Sequence, residues 1–274
     1  MPITRRAALK GVLATAVGAV TGAGVYGSGY ERHHLVLTEA ALPVRGLPRG
    51  FDGLRIALLT DVHHSSLVPP EDVVRAVELA NAQRPDLVIL GGDYVTMGDR
   101  EFMEPVAALL APLSAPLGVF AILGNHDDDR EMPAALVRHH IAVLKDQRTS
   151  LERRGDHLDL AGIRFWTREQ ANIERVVRGA EGPVLLLAHD PRRLTDAAAL
   201  DLPGVLSGHT HWGQIVIPGL GAVAARKYPV REGNGMLRDT SIFVSRGIGT
   251  VYVPIRINCP PEVAIVTLQA RDRA

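Results

Sequence analysis

Five short apolar runs in this chain each stop at a residue that can hold a metal. LRIALLT (54–60) runs into Asp61-Val62-His63, LVILGG (87–92) into Asp93, and VFAILG (119–124) into Asn125-His126-Asp127. VLLLA (184–188) runs into His189-Asp190, and VLSG (205–208) into His209-Thr210-His211. Apolar runs of this length, ended by turn residues, read as buried strands. Segments with helical spacing stand between them: PEDVVRAVELANAQ (70–83), FMEPVAALLAPL (102–113), MPAALVRHHI (132–141) and REQANIERVVRGA (168–180). Pro70, with Glu71 and Asp72 in the first turn, marks a helix start. HLDLAGIRFW (157–166) alternates like a strand with one exposed face. GQIVIPG (213–219), TSIFVSRGIG (240–249) and PPEVAIVTLQ (260–269) add strands with few helices between them. Alternation that gives way to strands points to a layered α/β domain with mixed sheets. Residues 31–50 read as a mixed lead-in, and nothing after residue 50 looks like a linker.

In open α/β sheets, ligand sites lie beyond the carboxyl ends of strands, so five such ends can share one crevice. Side chains at i and i+2 of an extended stretch face the same way, which would aim Asp61 with His63 and His209 with His211. Gly91, Gly92, Gly124 and Gly208 precede the donors and are expected to let the backbone turn sharply. The chain has a single cysteine, Cys259, so neither an intrachain disulfide nor a thiolate cluster can form. Any metal therefore falls to the eleven histidines, the carboxylates and Asn. A formal charge of +0 without a basic tract gives no electrostatic case for a nucleic-acid partner. The donors number seven: Asp61, His63, Asp93, Asn125, His189, His209 and His211. That is too many for one tetrahedral zinc and right for two divalent ions sharing a carboxylate. Two such ions, about 3.5–4 Å apart, form a clamp for phosphoryl displacement. Their charge outweighs two carboxylates and leaves a site that attracts an anionic phosphoester. Imidazole and carboxylate donors suit Mn, Fe or Zn alike.

The series DVH (61–63), GGD (91–93), GNHD (124–127), AHD (188–190) and GHTH (208–211) resembles that of the calcineurin-like metallophosphoesterases, over roughly residues 50–270. The Arg-Arg leader, Gln214 after GHTH and the tail SRGIGT…NCPPEV look most similar to the exported YkuE/YaeI-like phosphodiesterase branch. The resemblance implies a four-layer αββα sandwich with two mixed β-sheets. It implies one metal on Asp61, His63 and His211, a second on Asn125, His189 and His209, and Asp93 bridging them. His126 would then protonate the leaving oxygen or stabilise the transition state, with Asp127 orienting it. A metal-bridging hydroxide would attack phosphorus, with no Ser or Cys nucleophile. Phosphodiester, phosphomonoester and pyrophosphate bonds all stay open, in a small-molecule or lipid-linked substrate. The alternative is an inactive metal-binding or scaffolding module of the same fold, which completeness of the donor set disfavours. Trp212 stands where a small residue is common after GHTH and bears on the pocket's shape.

Residues 1–30 read as a twin-arginine-type signal peptide or an anchor, and 45–272 as the catalytic domain. Arg5-Arg6, then Leu9 and Lys10, precede a stretch to Gly27 rich in Ala, Gly and Val. This implies export across the cytoplasmic membrane by the export machinery, with cleavage near Ala19–Ala23 or retention as a membrane anchor. His33, His34, His139, His140 and His157 read as solvated or structural, and His64 as a neighbour of the ligands. Asp128 and Asp129 read as a solvated loop, Asp190 as a turn cap and Cys259 as core. Arg246 and Tyr228 fall where late loops can roof a pocket. SSLVPP (65–70) suits either a lipid tail or a stiffened helix entry.

Overall fold

The computed structural model describes residues 4–271, so residues 1–3 of the leader and residue 272 of the expected domain lie outside the described residues. In chain order the elements are α1 (Arg5–Gly29), β1 (Val36–Arg45), β2 (Arg55–Leu59), α2 (Pro70–Ala82), β3 (Leu87–Leu90), α3 (Met103–Leu110), β4 (Val119–Ala121) and α4 (Glu131–Arg138). Then come β5 (Ala142–Val143), β6 (Gln147–Arg153), β7 (Asp156–Ile163), α5 (Gln170–Val177), β8 (Val184–Ala188), α6 (Leu194–Ala199) and β9 (Gly204–Ser207). The chain closes with β10 (Val216–Ile217), β11 (Gly221–Ala222), β12 (Gly233–Leu237), β13 (Thr240–Val244) and β14 (Glu262–Arg271).

Two six-stranded sheets carry the fold, in the orders β1-β14-β2-β3-β4-β5 and β12-β13-β9-β8-β7-β6. Both are mixed. β14 runs antiparallel to β2, and β2, β3 and β4 run parallel. β7, β8, β9 and β13 run parallel, flanked by antiparallel β6 and β12. The apolar runs are continuous because both faces of their strands are buried. Ile56, Leu58, Leu87, Ile89, Leu185 and Leu187 point into the core between the sheets. Ala57, Leu59, Val88 and Leu90 face the opposite way, toward α2, α3 and α4. Leu186 and Ala188 face α5 and α6. Helices, sheet, sheet and helices thus form the expected four-layer αββα sandwich.

The lead-in differs from its reading. Val36–Arg45 forms a ten-residue strand paired in parallel with β14, from Val36↔Glu262 to Arg45↔Arg271, so the sheet begins ahead of residue 45. It is an edge strand, half exposed along much of its length, and Pro43 sits where an edge tolerates it. The strand expected over 213–219 shrinks to a two-residue rung of the β10–β11 hairpin.

Candidate metal centre

Loops at the carboxyl ends of both sheets bring the donors together. Asp61 and His63 follow β2, Asp93 follows β3, Asn125 and His126 follow β4, His189 follows β8, and His209 and His211 follow β9. The donors are not aimed by extended i, i+2 geometry. Asp61, His63, Asp93, His209 and His211 all have positive φ, between 47° and 72°. Each such residue costs about 1–2 kcal/mol, a cost that Asp and His bear better than most. Amide bonds between loops hold the strained backbone: Asp61 N–H donates to the Gly92 carbonyl, His63 N–H to Asp93, Gly208 N–H to His189 and Gly249 N–H to Asp61. Of the four expected turn glycines only Gly92 has a left-handed φ, 92°; the others are required by close packing. A Cβ on Gly124 would strike the Asp93 carboxylate, and one on Gly208 the Asp61 carboxylate.

Six of the seven expected donors fall into two groups, Asp61/His63/His211 and Asp93/His189/His209, with ligand atoms in each within 4.8 Å of one another; Asn125 lines the pocket beside them. His211 Nε2 lies 3.2 Å from Asp61 Oδ1 and 3.1 Å from His63 Nε2. Asp93 Oδ2 lies 3.1 Å from His189 Nε2 and 3.6 Å from His63 Nε2, so this carboxylate reaches both groups. His189 Nδ1 donates to the Gly91 carbonyl at 2.8 Å, which turns Nε2 inward. That Nε2 is close to Asp93 but out of line for a hydrogen bond, and it is buried without a partner, as is Asn125 Oδ1. Buried polar atoms are rarely left so. Two buried polar atoms without partners, beside two buried carboxylates and further imidazoles, fit hard or borderline divalent ions.

Electrostatics agree. Burial pushes the His63 imidazole down to about 3 and His209 down to about 4, so both are neutral and keep a lone pair. Burial alone would raise the Asp61 and Asp93 carboxyls, but the surrounding histidines outweigh it and hold both well below the usual range. Burial likewise opposes charge on His189, yet Asp93 and Asp61 hold it up to about 10. The two carboxylates require positive charge beside them.

Around the ligands, Tyr228 Oη lies 2.8 Å from His209 Nε2. With Nε2–H donating to the phenol, His209 keeps Nδ1 for the cluster. Partners of this kind are worth 10–100-fold in metal affinity. Tyr228→Phe is expected to weaken binding at the Asp93/His189/His209 group by about tenfold, read by metal titration. His126 lines the pocket with Asn125, His209 and His211, and accepts the Met97 amide at Nδ1, 2.8 Å away. Among the described residues no hydrogen bond joins the Asp127 carboxylate to the His126 ring. The Asp127 carboxylate accepts the amides of Asp93 and Tyr94 in the loop after β3 and of Gly124 in its own loop, and so ties these two ligand loops together. Burial and Asp93 push its carboxyl up to about 7.

His64 bonds the Val68 carbonyl and Asp190 caps the turn at Arg192, both as structural groups. Asp128 caps α4 at Arg130 and Glu131, and Asp129 pairs with Lys145 and Arg164, although both also border the pocket. Arg246 is held by Glu262 and Thr38 rather than over the pocket, whereas Tyr228 is a roof residue. Trp212 is half-buried and outside the pocket lining. Cys259 is buried, its thiol on the His211 carbonyl at 3.2 Å. The open cleft, about 1260 Å³, is also lined by Trp166, Arg168, Arg192, Lys227 and Tyr252, which the strand-end pattern does not reveal. Neither does it reveal Arg256, fully buried and 3.5 Å from His211 Nδ1.

Sandwich and donor set together define a metal-dependent hydrolase. The family model described as calcineurin-like phosphoesterase matches residues 54–213. The chain belongs to that family and is a metal-dependent phosphoesterase. It is 30% identical to the uncharacterized metallophosphoesterase YkuE of Bacillus subtilis, over 98% of this chain and 99% of that protein. It is also 30% identical to the phosphodiesterase YaeI of Escherichia coli, over 78% of this chain and 82% of that one. Among solved structures, the NAD nucleotidase of Haemophilus influenzae superposes with a TM-score of 0.52 at 16% identity, covering 72% of this chain and 45% of that one. This chain thus spans about half the length of that structure, and the likeness is one of fold.

Proposed function

We propose that this chain hydrolyses phosphodiesters at a dinuclear centre, with Asp61, His63 and His211 holding one ion, Asn125, His189 and His209 the other, and Asp93 shared. The observation that carries this reading is the reach of Asp93 Oδ2 to both donor groups beside the orphaned His189 Nε2 and Asn125 Oδ1. Two divalent ions held there, Mn, Fe or Zn, would neutralise phosphoryl charge and acidify a water. Arg168, Arg192 and Lys227 add cationic side chains to the cleft wall, where an anionic ester docks. The cleft has room for organic groups on both sides of a phosphate, which favours a diester, and a relative of similar length bears the name phosphodiesterase.

The Met97 amide donating to Nδ1 leaves the His126 proton on Nε2, and burial keeps the ring neutral by lowering its pKa. A neutral ring whose Nδ1 is already taken stabilises developing charge by donating from Nε2, and is poorly placed to act as an imidazolium acid. His126→Ala is expected to lower kcat by about 10²–10³ while both metals stay bound, measured by kinetics beside metal analysis. Cys259, buried on a carbonyl, is no nucleophile. The Arg5-Arg6 pair and α1 serve export, as a signal or an anchor engaged by the export machinery.

The test is hydrolysis of bis-p-nitrophenyl phosphate and p-nitrophenyl phosphate by metal-stripped protein, before and after Mn, Fe or Zn is restored. Metal-restored cleavage of the diester supports the reading. Cleavage of the monoester alone overturns the diester assignment, and two bound ions with no turnover of either favour the inactive module.

A further inference from the structure

The apolar N-terminal helix and the rim of the metal pocket are joined without a linker. The stretch Leu9–His33 is long and apolar enough to cross a membrane, and its most apolar 18-residue window, of mean hydropathy 1.3, is not buried against the rest of the protein. About 20 residues suffice to span a bilayer core. Arg5, Arg6 and Lys10 stand at its outer end, and exposed Tyr26 and Tyr30 at the end that meets the domain. Spanning helices carry cations on the cytoplasmic side and tyrosines at the interface.

The root of this helix is fixed to the domain. The Gly27 carbonyl accepts the Arg256 amide at 3.1 Å, and a Cβ on Gly27 would lie 2.6 Å from the Arg256 carbonyl oxygen. Buried Glu31 accepts the Cys259 amide at 2.6 Å, Arg32 donates to the Leu67 carbonyl at 3.0 Å, and His33 meets Asp72 at 2.7 Å. A helix tied this way cannot swing freely, so where it spans a bilayer the surface beside its root faces that bilayer. That surface is the 251–257 loop and the β10–β11 hairpin, joined by the Val216 amide to the Ile257 carbonyl. It exposes Ile217, Leu220, Val223, Tyr252 and Val253, a concentration of apolar side chains that free surfaces rarely carry. The same strip borders the metal cleft. Val251, Tyr252, Ala224 and Ala225 line the cleft, and Gln214 makes two hydrogen bonds to Val251.

We propose that this strip lies in the membrane interface, and that the substrate is a phosphoester borne by a membrane lipid, entering the cleft from the bilayer side. The substrate half rests on the phosphoesterase reading; the docking half does not.

The test uses the full chain in phosphatidylcholine/phosphatidylglycerol vesicles. Single cysteines replace Leu220, Val253 or Arg154 and carry an environment-sensitive dye, with Cys259 buried. Arg154 is exposed in the β6–β7 turn, at the end of the sheet opposite the metal loops. Lipid-borne quenchers are expected to dim the dyes at 220 and 253 and spare 154; equal quenching at all three overturns the docking surface. Leu220→Glu with Val253→Glu is expected to cut hydrolysis of vesicle phosphatidylglycerol about tenfold, since charge is unfavourable at an apolar interface, while bis-p-nitrophenyl phosphate turnover is unchanged. A parallel loss with both substrates, or wild-type turnover of the soluble diester alone, overturns the lipid-borne substrate. Quenched dyes with no turnover of either would sink the phosphoesterase reading and leave the docking surface standing.

Discussion

Asp93→Ala is expected to cut diester hydrolysis by about a thousandfold, the equivalent of about 4 kcal/mol of transition-state stabilisation. Bound metal should fall from about two ions per chain to one or fewer. The carboxylate is held from both sides. Oδ1 accepts the His126 amide at 2.8 Å, and Oδ2 reaches His189 at 3.1 Å and His63 at 3.6 Å. Alanine removes half of the buried negative charge that makes the site attract cations and separates the two donor groups. Asp93→Asn keeps the shape and loses the charge, so it should bind metal better than alanine and still be nearly inactive. Metal content by mass spectrometry, beside kcat and a folding check by circular dichroism, decides the matter. An alanine variant with full activity and two metals would remove Asp93 from the centre.

The candidate donors were legible because strands buried on both faces leave continuous apolar runs, and whatever breaks such a run at its carboxyl end stands out. Ile56 and Leu58 facing one core, with Ala57 and Leu59 facing another, explain why LRIALLT shows no alternation before Asp61. The backbone that aims the donors was not legible. Nothing in Asp-Val-His announces φ of 52° at Asp61 and 49° at His63, because loops from other strands impose those angles through amide bonds. β1 was missed for a related reason. As an edge strand it lacks a second buried face, and its register comes from β14, at the far end of the chain. The resemblance implies Asp127 as a partner of His126, yet its hydrogen-bond partners are amides of the loop after β3 and of its own loop. Sequence nearness is a poor guide where long-range loop contacts set the geometry.

Arg256→Ala is expected to destabilise the protein by about 3–5 kcal/mol, the cost of breaking up a buried, fully hydrogen-bonded charge. For a chain of this size that lowers Tm by about 10 °C. The guanidinium is fully buried, and it donates to the carbonyls of Gly249, Gly247, Arg246 and Cys259 at 2.5–3.2 Å. Removing it leaves those carbonyls facing a void, where each unsatisfied polar group costs about 1–3 kcal/mol. The loss has a direction. The 246–249 turn holds the ligand loop after β2 through Ile248 N–H on Thr60 and Gly249 N–H on Asp61, while Cys259 holds His211. Loosening Arg256 should therefore weaken the Asp61/His63/His211 group ahead of the Asp93/His189/His209 group. Arg256→Lys keeps a charge but has three donors in place of five, and should fall between alanine and wild type. Differential scanning calorimetry reads the stability, and a competitive metal titration reads the two affinities apart. An alanine variant with unchanged Tm would show that the carbonyls find water. An equal loss at both metal groups would show that Arg256 supports the fold without favouring the ligands nearest to it.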